Sequence, residues 1–153
     1  MKANLAFTLT GCPRSKKNSM QIVKIKMRDK ATGQLKEIPK LLPSTWYRQY
    51  EICCVAQIRE LLQPMYIDHP INLKVTYYME NRRGVDLCNL LEATCDILVK
   101  AGVLKDDNSR IVVSHDGSRV NVDKERPRCV VEISEAKCPI QQSMFDDWSK
   151  DDE

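Results

Sequence analysis

"VDLCNLLEATCDILVKAGVLKDDNSRIV", residues 85–112, is the stretch on which the reading of this chain turns. Leu87, Leu90, Leu91, Thr94, Leu98 and Ala101 recur at helical spacing and predict a helix over 87–101 with one inward face. Gly102 suits the position just past its end, where a left-handed backbone is needed. Carboxylates mark both ends of the helix: Asp86 at its entrance, and the pair Asp106 and Asp107 after its exit. Each has an ordinary structural use. Asp86 stands where an N-cap should, and "DDNS" is good turn chemistry. Metal-assisted hydrolysis of a phosphodiester needs the same residue type, because Mg²⁺ takes hard oxygen ligands from carboxylates that converge.

Chain geometry limits how these acids could meet. A helix over 87–101 is about 22 Å long at 1.5 Å per residue. The six residues from Gly102 to Asp107 retrace at most about 20 Å when fully extended. Asp107 can therefore barely return to Asp86 within one chain. A metal shared between them implies a second copy, and a homodimer follows.

Around this segment the patterning alternates between strand and helix. Leu5, Phe7 and Leu9 share one face of a strand over 3–10, and "GCPRSKKNS" (11–19) is a polar, basic loop. "QIVKIKM" (21–27) sets Val23, Ile25 and Met27 against Lys24 and Lys26, and "DKATGQ" turns it into a hairpin whose return strand is "LKEIP". A helix follows Ser44, a natural N-cap, with Tyr47, Tyr50, Cys54, Ile58 and Leu61 on its stripe until Pro64 stops it. Ile71, Leu73, Val75, Tyr77 and Met79 alternate along a strand over 71–80. "SRIVVSH" (109–115) and "RCVVEISE" (128–135) complete the strands, with Asp116-Gly117 as a turn. The fold class is α+β: a small mixed sheet with two helices packed on it.

At 153 residues the chain makes one domain, over 1–135, followed by an acidic tail over 136–153 without core periodicity, expected to be flexible. The tail carries two lysines against five acids, a balance of −3, so the +3 of the whole chain leaves +6 on residues 1–135. A basic body suits a nucleic-acid binder. No apolar stretch is long enough to span a bilayer, and the alternating N-terminus does not read as a signal peptide. The seven cysteines include Cys53, Cys54, Cys88, Cys95 and Cys129 within periodic elements, with no zinc-ligand spacing. They read as reduced thiols of a cytoplasmic protein, packed as small hydrophobes. His69 and His115 fall outside the acidic segment, and Trp46 and Tyr47 read as core or helix-start packing.

"NRRGVDLCNLLEATCDILVKAGVLKDDNSRIV" resembles the core signature of RusA-type Holliday-junction resolvases, in which an Arg-rich turn, Asp-x-Asp-Asn-Leu, a helix and an Asp-Asp pair follow one another. "PRSKKNS" is similar to a loop near the start of family members, and the resemblance covers roughly 5–135. It implies a RusA-like fold in an intertwined homodimer. It also implies an Mg²⁺-dependent endodeoxyribonuclease that resolves four-way or branched DNA in recombination and repair. Asp86 matches the first motif aspartate, Asn89 the motif asparagine, Asp107 the essential aspartate of the later pair and Asp106 its neighbour. The resemblance makes Asp86, Asp106 and Asp107 metal ligands. Phosphate contacts fall to Lys16, Lys17, Arg82 and Arg83, with Ser15 and Asn18 adding neutral hydrogen bonds.

The chain departs from the pattern twice. Cys88 stands in place of the second motif aspartate, and Glu92 in place of a lysine. Cys88 and Glu92 lie one helical turn apart on a shared face, so Glu92 is a candidate catalytic carboxylate that replaces the lost one. A soft thiol nearby favours tolerance of Mn²⁺. The alternative is a junction-binding protein with weak or no cleavage. In the tail, "QQSMFDD" (141–147) resembles the peptide by which bacterial DNA polymerases and repair proteins enter the sliding clamp, through Gln141, Ser143, Met144 and Phe145. The family is common in phages, so a bacterial or phage-infected cytoplasm is the expected setting.

Overall fold

The computed structural model describes residues 4–17 and 20–136. Nine elements follow in order: β1 (Leu5–Thr10), β2 (Met20–Arg28), β3 (Leu35–Pro43), α1 (Thr45–Leu61), β4 (Ile71–Met79), α2 (Leu87–Lys100), β5 (Val112–Ser114), β6 (Arg119–Val122) and β7 (Arg128–Glu135). They form a mixed α+β fold with one main sheet, two helices and a separate two-stranded ribbon.

β4 is the centre of the main sheet because its alternate residues are the most apolar run in the chain. Ile71, Leu73, Val75 and Tyr77 are all essentially inaccessible to solvent. β7 pairs along almost the whole of β4 in antiparallel register, from Ile71 opposite Glu135 to Tyr78 opposite Arg128. β1 then pairs antiparallel with the outer side of β7. On the other side of β4, two short parallel strands share its length, β5 at Ile71–Asn72 and β6 at Thr76–Met79.

α2 lies over this sheet. Leu90, Leu91, Ala93, Thr94, Cys95, Ile97 and Leu98 are buried, a broader face than the six periodic positions alone. Thr94 bonds back to the Leu90 carbonyl at 2.9 Å and meets the Tyr77 hydroxyl at 2.6 Å, so the polar pair under the helix is satisfied. α1 starts at Ser44, whose hydroxyl accepts from the Tyr47 backbone N–H at 3.2 Å. Tyr47, Cys54 and Ile58 are its buried stripe. Lys100 Nζ and Glu51 Oε1, 2.6 Å apart, tie the end of α2 to α1.

Several expectations are corrected. Leu61, expected on the buried stripe of α1, is 57% exposed because the helix ends there. Trp46 does not pack; it is 68% exposed, with the Arg14 guanidinium 5.3 Å from its ring centroid. The strand expected over 109–115 shrinks to Val112–Ser114, since Asn108 holds the preceding residues in a turn. β6 carries only two valines among polar residues, too little alternation to announce a strand, and forms because β4 offers it an unpaired edge. The return strand of the hairpin runs on through Pro39 to Pro43; a two-stranded ribbon has only edge strands, where proline is tolerated.

Cys54, Cys95 and Cys129 pack as small hydrophobes, and the six described cysteines are free thiols. Burial pushes the Cys95 thiol up to about 12 and that of Cys54 to about 11, which keeps both unreactive.

Candidate functional site

The acidic segment begins where the chain leaves β4. Asn81 Oδ1 accepts from the Arg83 backbone N–H at 2.9 Å, shaping an exposed turn that carries Arg82 and Arg83. Asp86 then caps α2 from an extended backbone, accepting from the Cys88 and Asn89 backbone N–H groups at 2.9 and 3.3 Å. Both bonds fall on Oδ1, so Oδ2 stands outside the cap. The capping role expected of this residue is real, and it leaves one oxygen for other chemistry.

Along α2, the positions 88, 92, 96 and 100 recur every four residues and form one outward ridge: Cys88, Glu92, Asp96 and Lys100. Two lysines of the 11–17 loop reach across to it. Lys17 Nζ lies 2.7 Å from Glu92 Oε2, and Lys16 Nζ lies 3.7 Å from Asp96 Oδ2. The hydrogen bond to Glu92, the charge of Glu92 and that of Asp86 hold the Lys17 ammonium above the ordinary lysine range. Sequence reasoning gave these lysines to phosphate; in the free protein their partners are the carboxylates of α2.

The far end of the ridge is completed by the returning loop. After Gly102, which adopts a φ of 78°, the backbone N–H groups of Val103 and Leu104 bond back to the Leu98 carbonyl. Leu104 is fully buried and bridges to Ile67, which pins the loop to the body. Asp106 spends both oxygens on the turn, accepting from the Asp107 backbone N–H at 2.8 Å and from Asn108 Nδ2 at 2.7 Å. Those bonds hold its carboxyl below the usual range. Behind burial, the charge of Asp107 adds to the rise of the Asp96 carboxyl and the Cys95 thiol.

The site residues therefore fall into two groups. Glu92 and Asp96 sit on the outward ridge of α2, each paired with a lysine of the 11–17 loop. Partial burial, then the charges of Asp107 and Glu92, raise the Asp96 carboxyl above the ordinary value, while Lys16 and Lys100 oppose the rise. Asp86 belongs to the entrance, ten residues or about 15 Å of helix rise from Asp96. Asp96 was missed in the sequence. The available signal was its four-residue spacing from Glu92 on an otherwise apolar helix.

The donor set suits a hard divalent cation in kind, since every candidate ligand is a carboxylate oxygen. Its number within one chain is short. Among the described residues, no three His, Cys, Asp or Glu side chains lie close enough together to hold a metal ion. Asn18 and the tail residues Gln141, Ser143, Met144 and Phe145 lie outside the described residues.

No family model matches the chain. The Crossover junction endodeoxyribonuclease RusA of Aquifex aeolicus (strain VF5) is 36% identical to it over 59 residues. The matched segment makes up 39% of this chain and 47% of that protein, so it spans about half of the relative's length. Among the described residues, no helix is long and apolar enough to cross a membrane.

Proposed function

We propose that this chain is a metal-dependent endodeoxyribonuclease of the RusA type, acting on four-way or branched DNA in a bacterial or phage-infected cytoplasm. The observation that supports the reading is the outward row of Glu92 and Asp96 on α2, with Asp86 capping the same helix and keeping Oδ2 outside the cap. The similarity to a crossover junction endodeoxyribonuclease supports it.

In this reading Asp86 and Asp107 hold Mg²⁺, with Glu92 standing in for the carboxylate absent at Cys88 and Asp106 fixing the loop. A bound divalent ion would supply a hydroxide-like nucleophile and charge neutralisation at the phosphate. The chain's own residues orient the strand and take up its charge. Because Asp86 caps the start of α2 and Asp107 follows its end, a homodimer in which two copies pool carboxylates is the assembly proposed. Arg82 and Arg83, exposed just before Asp86, contact phosphates on the approaching strand, alongside Ser15, Lys16, Lys17 and Asn18. The tail motif through Gln141, Ser143, Met144 and Phe145 is proposed to engage a bacterial sliding clamp. Pull-down on purified clamp, abolished by Met144→Ala/Phe145→Ala, is the result that supports it.

Asp86→Asn separates the structural role from the chemical one. Asparagine caps a helix as well as aspartate does, so the unfolding free energy changes by less than about 0.5 kcal/mol. Nicking of a synthetic four-way junction in Mg²⁺ falls by on the order of a thousandfold, about 4 kcal/mol of barrier. Unchanged nicking would remove Asp86 from the chemistry. A second reading, a junction binder with weak or no cleavage, is favoured by the Lys17–Glu92 ion pair, which occupies the substituted carboxylate. It expects a shifted junction band with no products in Mg²⁺ or Mn²⁺. Equal nicking by Glu92→Gln and the parent chain in both metals would instead show that Glu92 replaces nothing.

A further inference from the structure

The ribbon formed by β2 and β3 has no part in the core. Its strands pair over nine residues each, from Met20 opposite Pro43 to Arg28 opposite Leu35. Almost every position is exposed on both faces; only Val23, Ile25, Leu42 and Pro43 are half-buried. Isolated two-stranded hairpins are marginal in water, and exposed ribbons invite pairing with other chains. A ribbon this long in a chain this small calls for an occupant.

Its charge says which. Residues 20–43 hold six cations, Lys24, Lys26, Arg28, Lys30, Lys36 and Lys40, against Asp29 and Glu37. That net +4 exceeds the +3 of the whole protein. Lys36 is taken by Asp29 at 2.6 Å, and Lys26 stands across the ladder from Glu37. Lys24, Arg28, Lys30 and Lys40 have no carboxylate within ion-pair distance among the described residues. The register sets Lys24 on one face and Lys40 on the other, because Lys40 opposes Val23. Cations on both faces of a narrow ribbon suit a polyanion that surrounds it, and they repel a second identical ribbon.

We propose that the β2–β3 ribbon is a DNA-gripping arm that lies along a duplex groove, with Lys24, Arg28, Lys30 and Lys40 on the phosphates. Strands of nine residues reach about 30 Å, and the major groove is wide enough, about 12 Å, to admit a two-stranded ribbon. In the chain the arm follows Lys16 and Lys17, the residues paired with the α2 ridge. The Ile25–Ile38 cross-strand pair, with Val23 and Met27 on the same face, holds the ribbon together from within. The inference rests on the nuclease reading for its partner, DNA, but not on cleavage itself.

The test is equilibrium binding of the full chain to a synthetic four-way junction and to a plain duplex across a salt series, with wild-type nicking scored separately. Lys24→Gln/Arg28→Gln/Lys40→Gln is expected to lower the slope of log affinity against log salt by about 3, roughly one per lost phosphate contact. At 200 mM salt binding weakens about tenfold or more. A slope unchanged from wild type overturns the arm, whether or not the wild type nicks. A reduced slope without any wild-type nicking keeps the arm and retires the nuclease. Sedimentation of Ile22→Asn/Leu41→Asn guards against the other occupant: conversion of a dimer to monomer with the salt slope intact assigns the ribbon to a second copy and overturns the arm.

Discussion

The main sheet and the β2–β3 ribbon have similar strand lengths and opposite fates. β4 and β2 are both nine residues long, and both alternate apolar with other residues. On β4 the alternate positions are covered by α2 and flanked by β7, so Ile71, Leu73 and Val75 are fully buried. On β2 the same kind of pattern is left partly open, with Val23 and Ile25 half-buried and Met27 51% exposed. Alternation marks a strand; it does not say whether anything packs on it. The charges divide likewise. Several cations of the body have carboxylate partners, Lys74 with Glu132, Lys100 with Glu51 and Arg128 with Asp123, whereas on the ribbon only Lys36 does among the described residues, with Asp29.

This contrast can be broken at three levels. Leu98→Ala, at the fully buried contact between α2 and the sheet, is expected to cost about 2–5 kcal/mol in urea unfolding. A cost below about 1 kcal/mol would mean that the body is as loosely held as the ribbon. Excision of residues 20–43 across a short Gly-Ser link is expected to change the unfolding free energy of the remaining body by less than about 1 kcal/mol, because Met20 and Pro43 are already opposite one another and no core residue is removed. Loss of cooperative unfolding would show that the ribbon is part of the core after all.

The smallest effect belongs to Asp123. Its carboxyl is held below the ordinary value by the Arg128 guanidinium at 2.8 Å and by the Arg126 backbone N–H. Arg128 also stacks 3.8 Å from the Tyr78 ring centroid, which fixes its position. The unfolded chain binds the proton more tightly, so the pair's contribution is fully present above about pH 4 and is lost as pH falls through the lowered value. Asp123→Asn is expected to flatten the thermal-midpoint profile in that acidic window and leave it unchanged near neutrality. A profile parallel to that of the parent chain would deny the pair any part in stability.

Much of the fold could be read from side-chain periodicity, because burial on a sheet or under a helix imposes period 2 or 3.6 locally. β4, β7, α2 and the Ser44 and Asp86 caps all follow from residues within one element of themselves. β6 and the short β5 could not be read this way, since their reason for being strands is the open edge of β4, a distant part of the chain. The candidate acids divide along the same line. Asp86, Asp106 and Asp107 could be singled out by residue type and spacing, and Glu92 by its departure from the resembled motif. That Asp106 builds the turn is a matter of which oxygen accepts which N–H, in a loop pinned through Leu104.

By itself, then, the sequence determined the helices, the longer strands and the two helix caps, because those depend on contacts a few residues apart. The tertiary structure decided which alternating strand is buried, that β5 and β6 pair with β4, and that Lys16 and Lys17 lie on the α2 ridge. Each of those depends on which distant segment occupies the space beside it, and local spacing carries no record of that.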